Sequence, residues 1–394
     1  MTHRQREFLY LNIGHFLDHF VLLIFATAAA VQLAAEWGLS YAELIPYATP
    51  GFVAFGVCAI PAGWLADRWS RPGMMVVFFF GIGGACLLAA RSDTPADMAL
   101  ALGVLGVFAA IYHPVGLSMV VQGRTRTGMP LAINGVWGNL GVASAALVTG
   151  LMIDWAGWRA AFTATGVVCL LVGAAYAHFV RQPADRHDDA PASANANAAS
   201  HDRATVIRVF AVIFFTTAVG GLVFQSTTFA LPKILDERLG DMAQSASAVG
   251  VYSFLVFALA ALAQLVVGFL LDRHDVKRIF MVVALCQAVL FTVMISSSGA
   301  AALVVAVAFM LAVFGQIPIN DVLVGRMAKS AWRSRAFAAR YIVTFSVMAS
   351  AVPLIGWLHG TWGFGALFTV LAFAASAIFL GTLALPGHDD TRAA

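Results

Sequence analysis

Residues 63–68 read GWLADR, and 205 positions later residues 268–273 read GFLLDR. Further cations follow both copies, with Arg71 after the first and Lys277 and Arg278 after the second. Each copy lies where a long apolar run ends, and the spacing is about half of the 394-residue chain. An element repeated at this spacing predicts two homologous halves, as in membrane proteins built from repeated helical bundles.

A second repeated element supports the same division. Residues 157–162 read GWRAAF, and residues 363–368 read GFGALF, at a spacing of 206 positions. Each copy precedes the last apolar run of its half. Because the two independent spacings agree, we expect the repeat to extend over both halves of the chain.

The composition is that of a membrane protein, with 61% hydrophobic and 11% charged residues. A soluble domain carries about 25% charged residues. A spanning helix needs about 20 apolar residues. Runs of that kind cover 8–35, 43–66, 73–91, 96–121, 128–153, 159–180, 206–231, 244–271, 278–297, 299–323, 337–358 and 363–386. The predicted fold is all-α, with twelve transmembrane helices in two pseudo-symmetric six-helix halves.

The halves are predicted at 1–180 and 206–394. Residues 181–205 between them are rich in Ala, Asp, Ser and Asn and have no apolar periodicity, which predicts a flexible cytoplasmic linker. With the N-terminus placed inside, 19 of the 23 Lys and Arg residues fall on the cytoplasmic side. The positive-inside rule therefore predicts that both termini are cytoplasmic. The first run has no small-residue cleavage site, so it is predicted to be a retained helix.

Several classes of function are excluded by what the sequence lacks. It contains no G-x-x-x-x-G-K-[ST] motif, so it encodes no ATP-driven pump. The four cysteines lie in apolar runs without metal-ligand or redox spacing. No nucleophile–base pair stands out. We therefore predict neither an enzyme nor a bound cofactor or metal, and no nucleic-acid partner.

The first predicted helix carries Asn12, His15, Asp18 and His19 within a 120° arc. His15 to His19 fall near the middle of the membrane, where ionisable groups are costly and tend to face a cavity or a partner. This pattern indicates a proton or substrate site. A buried polar cluster that only holds helices together is the alternative.

The fourth predicted helix ends in Tyr112, His113 and Pro114. Proline frees a backbone carbonyl and permits a kink. Histidine titrates near neutral pH, so His113 is a candidate for binding and releasing a proton. With His15, Asp18 and His19 it completes the predicted proton-coupling set. A hinge residue bonded to a carbonyl is the alternative.

Other polar residues in apolar runs are candidates for a substrate cavity. If Arg340 faces the cavity it would select an anion, whereas an ion pair with Asp321 would make it structural. On helix five, a stripe of Asn134, Gly138, Gly141 and Ala145 predicts close packing against another helix. The full set of cavity candidates is Asn12, Tyr112, Asn134, Trp137, Asn139, Gln225, Gln264, Gln316, Asn320, Arg340 and Tyr341.

The element at 63–71 resembles the loop between helices two and three of the major facilitator superfamily, with Ser70 where glycine is usual. The resemblance covers nearly the whole chain and implies the major facilitator fold. It also implies that the two copies of the loop act as a gate, in which Asp67 latches one state. The implied gate residues are Gly63, Asp67, Arg68, Arg71, Asp272 and Arg273.

Residues 113–116 (HPVG) and 138–141 (GNLG) resemble the fosmidomycin-resistance-like branch of that superfamily. This resemblance implies export. Drug antiporters of the superfamily often carry a Gly-Pro pair in helix five, whereas residues 143–146 read ASAA here. Uptake therefore stays open.

Together these features predict a secondary active transporter of the bacterial inner membrane that works by alternating access. Its partners would be protons, a small-molecule substrate and the bilayer, and it would function as a monomer. Proton-coupled export of a small organic compound is the first expectation. Proton-coupled uptake of an organic anion or metabolite is the alternative. A transporter-like membrane sensor is the alternative from another class.

Overall fold

The structure, a computed structural model, describes residues 1–124, 128–182, 203–327 and 333–385. Within these ranges, side chains are not described at 128, 203–205, 321, 324–327 and 333–342. Most of the predicted linker, 183–202, lies outside the described residues.

The described residues are almost entirely helical, which confirms the predicted fold class. In the first half of the chain, the helices are α1 (His3–Glu36), α2 (Tyr41–Arg68), α3 (Arg71–Ala89), α4 (Pro95–Val121), α5 (Gly128–Ala156) and α6 (Trp158–Val180). In the second half, they are α7 (Arg203–Leu239), α8 (Ala246–Leu271), α9 (Val276–Met294), α10 (Gly299–Met327) and a last helical segment, Arg333–Leu383.

Among the described residues, 11 helical segments are long and apolar enough to span a membrane. The last, Val343–Leu383, has 41 residues. At 1.5 Å per residue that is about 60 Å, or two bilayer cores. It is interrupted at Gly363, where φ is 73° and ψ is −176°. We therefore divide the last segment into α11 (333–362) and α12 (364–383), which agrees with the twelve predicted spans.

The sequence repeats correspond to repeated conformations. Gly157, which precedes α6, has φ 82° and ψ 170°, close to the values of Gly363 before α12. Only glycine adopts such a backbone at little cost. In the GWLADR and GFLLDR elements, the Arg68 guanidinium lies 4.4 Å from the Trp64 ring centroid and that of Arg273 lies 3.5 Å from the Phe269 ring centroid. Each half thus ends its second helix with the same cation–π pair.

The chain packs as two compact units. The first comprises Met1–Ser193 with Ala243–Leu255, and the second comprises Ala194–Met242 with Val256–Ala394. In the first unit, α1 packs on α5, α2 on α4, and α3 on α6. In the second, a buried apolar cluster that includes Ile213, Phe280 and Ile378 joins α7, α9 and α12.

The small-residue stripe of α5 packs against α1, as predicted. A Cβ added to Gly138 would lie 2.7 Å from His15 Nε2, and one added to Gly141 would overlap the main-chain carbonyl of Phe16. Small residues at these positions allow the two helices to approach closely enough for their polar side chains to meet.

Two of the helices contain a π-helical turn, which widens the backbone spiral locally. In α1 the turn covers Ala29–Leu33, and in α4 it covers Tyr112–Gly116. Pro114 lies inside the second turn, and because proline lacks an N–H it cannot continue the regular ladder. The predicted distortion of α4 therefore coincides with Tyr112 and His113.

Candidate proton and substrate site

Helices α1, α4 and α5 bring seven polar side chains together inside the first unit. We call this set the polar cluster. Its members are Asn12, His15, Asp18, His19, Tyr112, His113 and Asn134, all of which the sequence predicted from three separate segments. His15 to His19 lie about 18–24 Å along a helix about 50 Å long, so the cluster is near mid-span.

Asp18 is the one carboxylic acid of the polar cluster. Its side chain is 0% exposed, and neither carboxylate oxygen has a hydrogen-bond partner among the described residues. His113 Nε2 lies 3.5 Å from Asp18 Oδ2. A buried carboxylate is costly as an anion unless it is paired. The pair is therefore stable as a neutral acid beside a neutral imidazole, or as an anion beside an imidazolium.

His15 and His19 form a second contact beside the first. His15 Nδ1 lies 2.7 Å from the main-chain oxygen of Asn134, and His15 Nε2 lies 3.2 Å from His19 Nε2. The His113 ring meets both of these rings edge to face, at centroid distances of 5.5 and 5.6 Å. Three imidazoles and one carboxylate are thus close enough to influence one another's charge.

A network of neutral groups holds the cluster in place. The Tyr112 hydroxyl donates to the Leu11 carbonyl at 2.8 Å and accepts from Asn134 Nδ2 at 2.9 Å. Asn134 Nδ2 also lies 2.9 Å from Asn12 Oδ1, which it can reach as a donor. The Tyr112 ring stacks on that of His15 with centroids 4.8 Å apart. These contacts fix the positions of α1 and α4 relative to α5.

The three imidazoles also resemble a donor set for a transition metal. One nitrogen from each of His15, His19 and His113 lies within 4.8 Å of the others. In the structure, however, two of these nitrogens are hydrogen-bonded to each other. The geometry as it stands is that of two imidazoles in hydrogen-bond contact.

The second unit contains a neutral polar cluster at a related position. Gln287 Nε2 donates to Gln316 Oε1 at 2.8 Å, and the Thr216 hydroxyl donates to Asn320 Oδ1 at 3.3 Å. Gly220 of α7 approaches Gln316 just as Gly14 of α1 approaches Tyr112. Gln316 and Asn320 were predicted, whereas Gln287 and Thr216 were missed.

The remaining cavity candidates are not joined to either cluster by a described hydrogen bond. Gln225 is buried, and its Nε2 has no partner among the described residues. Half-buried side chains are those of Trp137, Asn139 and Gln264. The side chains of Arg340, Tyr341 and Asp321 lie outside the described set.

In the predicted topology, the residues assigned to the gate lie at cytoplasmic helix ends. Gly63, Asp67 and Arg68 lie in the last turns of α2, Arg71 begins α3, and Asp272 and Arg273 follow α8. Arg71 Nη2 lies 2.8 Å from Asp67 Oδ1, and Arg71 Nη1 donates to Gln122 Oε1 at 3.4 Å. The Asp67 carboxylate is 65% exposed. Exposed ion pairs contribute about 0–1 kcal/mol. The contact therefore adds little to stability and is free to exchange partners.

If Asp67 latches one state of the transporter, Asp67→Asn should raise the accessibility of cavity positions from the cytoplasm. Asparagine keeps the shape but loses the charge that holds Arg71. The measurement is the rate at which an impermeant thiol reagent labels a cysteine placed at Gln225, with Asp93→Asn as a control for the loss of an exposed acid. An unchanged labelling rate together with normal transport would contradict the latch.

A nearly all-helical chain with repeated halves, many spanning helices and a buried titratable cluster defines a multi-pass membrane transporter. The sequence model of the Major Facilitator Superfamily matches residues 11–256. The chain belongs to the Major Facilitator Superfamily. This is a class of secondary transporters built from repeated helical bundles.

The chain is also similar to a named resistance protein, to named transporters and to solved structures of transporters. The chain is 31% identical over 122 residues to the puromycin resistance protein pur8 of Streptomyces alboniger, a match that spans 30% of this chain but only 24% of that protein. It is 23% identical to a gallate transporter of Pseudomonas putida over 92% of this chain and 88% of that protein. A crystal structure of a D-xylose-proton symporter aligns with a TM-score of 0.75 and 14% identity, covering 95% of this chain and 96% of the other. The structural likeness shows the fold alone.

Proposed function

We propose that this protein couples the movement of protons to the export of a small organic compound by alternating access. The observation that carries the proposal is Asp18, a fully buried carboxyl without a hydrogen-bond partner among the described residues, 3.5 Å from His113 Nε2. A structural carboxylate in such a place would be expected to have its oxygens satisfied. A carboxyl that gains and loses a proton during transport is expected instead to have a single, weak partner.

The position of the polar cluster also favours proton coupling. Ionisable residues in the middle of membrane spans are characteristic of proton relays in transporters. The proposed coupling residues are His15, Asp18, His19 and His113, all on α1 and α4. The described spans of the second unit offer buried neutral side chains, among them Thr216, Gln225, Gln287, Gln316 and Asn320. We infer that protons bind to the first unit, and that the second unit supplies hydrogen bonds to the substrate.

Export is supported by two observations from sequence. Residues 113–116 and 138–141 resemble the fosmidomycin-resistance-like branch, and one relative is named a puromycin resistance protein. Puromycin resistance is a property of that relative, and the match covers only 30% of this chain and 24% of the relative. Export is therefore our first choice on the strength of the branch resemblance.

Uptake of an organic anion is the second candidate, and a different observation favours it. The gallate transporter matches nearly the whole chain, and helix α5 lacks the Gly-Pro pair of drug antiporters. Gallate is an aromatic acid, so a cation in the substrate cavity would favour its binding. Arg340, which lies within α11, is the residue that we assign to this role in the uptake alternative.

Overexpression in a bacterium without an active homologue separates the two directions. Cells are exposed to puromycin and, separately, to gallate, and internal levels and growth are measured together. Export predicts a lower internal level of the exported compound and higher tolerance to it. A higher internal level of gallate that is lost in Arg340→Gln would establish uptake instead. Asp93→Asn serves as the matched control for both.

We propose that the protein lies in the inner membrane as a monomer with both termini in the cytoplasm. The distribution of Lys and Arg supports this orientation. Protease added outside spheroplasts should leave the 181–205 segment uncut, and protease added to inside-out vesicles should cut it. Cleavage from the outside would reverse the orientation and, with it, the assignment of Asp67 to the cytoplasmic gate.

A further inference from the structure

We propose that His15 and His19 form a pair that shares a single proton, and that this pair is a proton site distinct from Asp18 and His113. The inference rests on the proposed function and deepens it, because it gives the polar cluster two separate places for a proton. It also assigns Asn134, through its main-chain carbonyl, as the residue that positions the pair.

The position of the proton on His15 follows from its neighbour. A carbonyl oxygen only accepts hydrogen bonds, so the 2.7 Å contact to the Asn134 oxygen requires that His15 Nδ1 carries a hydrogen. In neutral His15 the other nitrogen, Nε2, then has a lone pair and no hydrogen. Neutral histidine in water does not by itself favour the tautomer with hydrogen on Nδ1. The main-chain carbonyl of Asn134 on α5 therefore determines the tautomer of His15.

The contact between the two rings limits how many protons the pair can hold. Two nitrogens 3.2 Å apart form a hydrogen bond only if one hydrogen lies between them. With both residues neutral, His19 Nε2–H donates to His15 Nε2. One added proton is accommodated on His19 Nδ1, or on His15 Nε2 if His19 becomes the acceptor. A second added proton would place two N–H groups face to face and break the contact.

The surroundings of the pair hold the rings in this arrangement. From α4, the Tyr112 ring stacks on His15 with planes 19° apart, and the His113 ring stands edge-on to both imidazoles. From α5, Gly138 leaves just enough room for the His15 ring. The titratable groups that face the pair are Tyr112 and His113 from α4 and Asp18 from α1 itself.

The second proton site is the contact between Asp18 and His113. It uses different atoms, since His113 Nε2 faces Asp18 Oδ2 and the two Nε2 atoms of the pair face each other. A proton on Asp18 Oδ2 can pass to His113 Nε2 without a change at the His15–His19 contact. The geometry therefore points to two proton sites in the polar cluster, one at each contact.

Nitrogen NMR of protein labelled with ¹⁵N-histidine in lipid nanodiscs tests the pair directly. At neutral pH we expect one imidazole with hydrogen on Nδ1 and none on Nε2, which disappears in His15→Gln. Its Nε2 should be coupled through the hydrogen bond to the Nε2 of a second imidazole, which disappears in His19→Gln. A His15 signal with hydrogen on Nε2 alone would overturn the inference.

Two glycines of α5 provide a matched pair of variants. Gly138→Ala adds a carbon 2.7 Å from His15 Nε2 and should abolish the coupling between the two rings, whereas Gly135→Ala adds a carbon that meets nothing within 4 Å and should keep it. Retention of the coupling in Gly138→Ala would count against the proposed contact. If Gly138→Ala does not fold, the tautomer in the unmodified protein still decides the question.

Zinc binding is the competing explanation for three imidazoles at this spacing. We expect the purified protein to bind far less than one equivalent of Zn²⁺ at micromolar free metal. One equivalent that is lost in both His15→Gln and His19→Gln would show a metal site and overturn the shared proton. These measurements need no substrate. They can therefore fail while Asp18→Asn still abolishes coupling, or succeed while the proposed transport function fails.

Discussion

Asp18→Asn should abolish accumulation driven by a pH gradient while leaving the protein folded and inserted. Asparagine has the shape of aspartic acid, so the packing of α1 against α4 and α5 is kept. It cannot bind or release a proton, and one pH unit is worth about 1.4 kcal/mol per proton. At a gradient of one unit, each coupled proton can raise the accumulation ratio by about tenfold at most, so we expect the ratio to fall by up to about tenfold for each proton lost.

The measurement is counterflow and gradient-driven transport in the same proteoliposomes. Exchange of labelled for unlabelled substrate should persist in Asp18→Asn, because it needs no net proton movement. Asp93→Asn is the matched control, since Asp93 is 85% exposed in a loop and pairs with Arg159 at the surface. Normal gradient-driven transport by Asp18→Asn would leave the polar cluster with a structural role only.

Gly141→Val should have the second large effect, on stability. The added side chain would overlap the main-chain carbonyl of Phe16, and a carbonyl within a helix cannot rotate away. Overpacking of this kind costs about 1–3 kcal/mol or more. We expect a strong loss of monodisperse protein after solubilisation and a lower melting temperature.

Gly135→Val tests whether the effect comes from the helix crossing. It lies on the same helix, and a Cβ added there meets nothing within 4 Å. Its yield and melting temperature should stay close to those of the unmodified protein. Equal loss in both variants would mean that valine itself disturbs α5, and that close packing against α1 is not the cause.

Much of the fold could be predicted because a helix that crosses a membrane needs an apolar segment of a minimum length, and such segments can be found in the sequence. Apolar runs of the required length determine the spans, and the repeat of Gly157 at Gly363 indicated where the last two helices divide. The structure gave the reason for that repeat, because both glycines have positive φ. The long final segment would otherwise read as one helix.

The members of the polar cluster could also be predicted, since a 120° arc on one helix and a proline on another do not depend on tertiary detail. Their arrangement could not. The tautomer of His15 is determined by the main-chain carbonyl of Asn134. Because every residue has such a carbonyl, the sequence does not indicate which one His15 contacts. The fit of Gly138 against the His15 ring is likewise a property of how two helices cross.

The misses have physical causes as well. Gln287 is a single amide in the apolar run of α9, and only the packing of α9 against α10 shows that it faces Gln316. Asn139 follows Asn134 by five residues, which rotates it about 140° around the helix. It therefore points away from the face that meets α1, and its place in the substrate cavity stays a prediction.

The central claim is that this transporter moves protons together with its substrate. The most direct test is to reconstitute the protein with a pH-sensitive dye inside the vesicles and to add compounds from a panel that includes puromycin and gallate. For a compound that is transported, we expect a change in internal pH in the unmodified protein and none in Asp18→Asn. A compound that crosses at a rate independent of the pH gradient, and moves no protons as it does so, would contradict the claim.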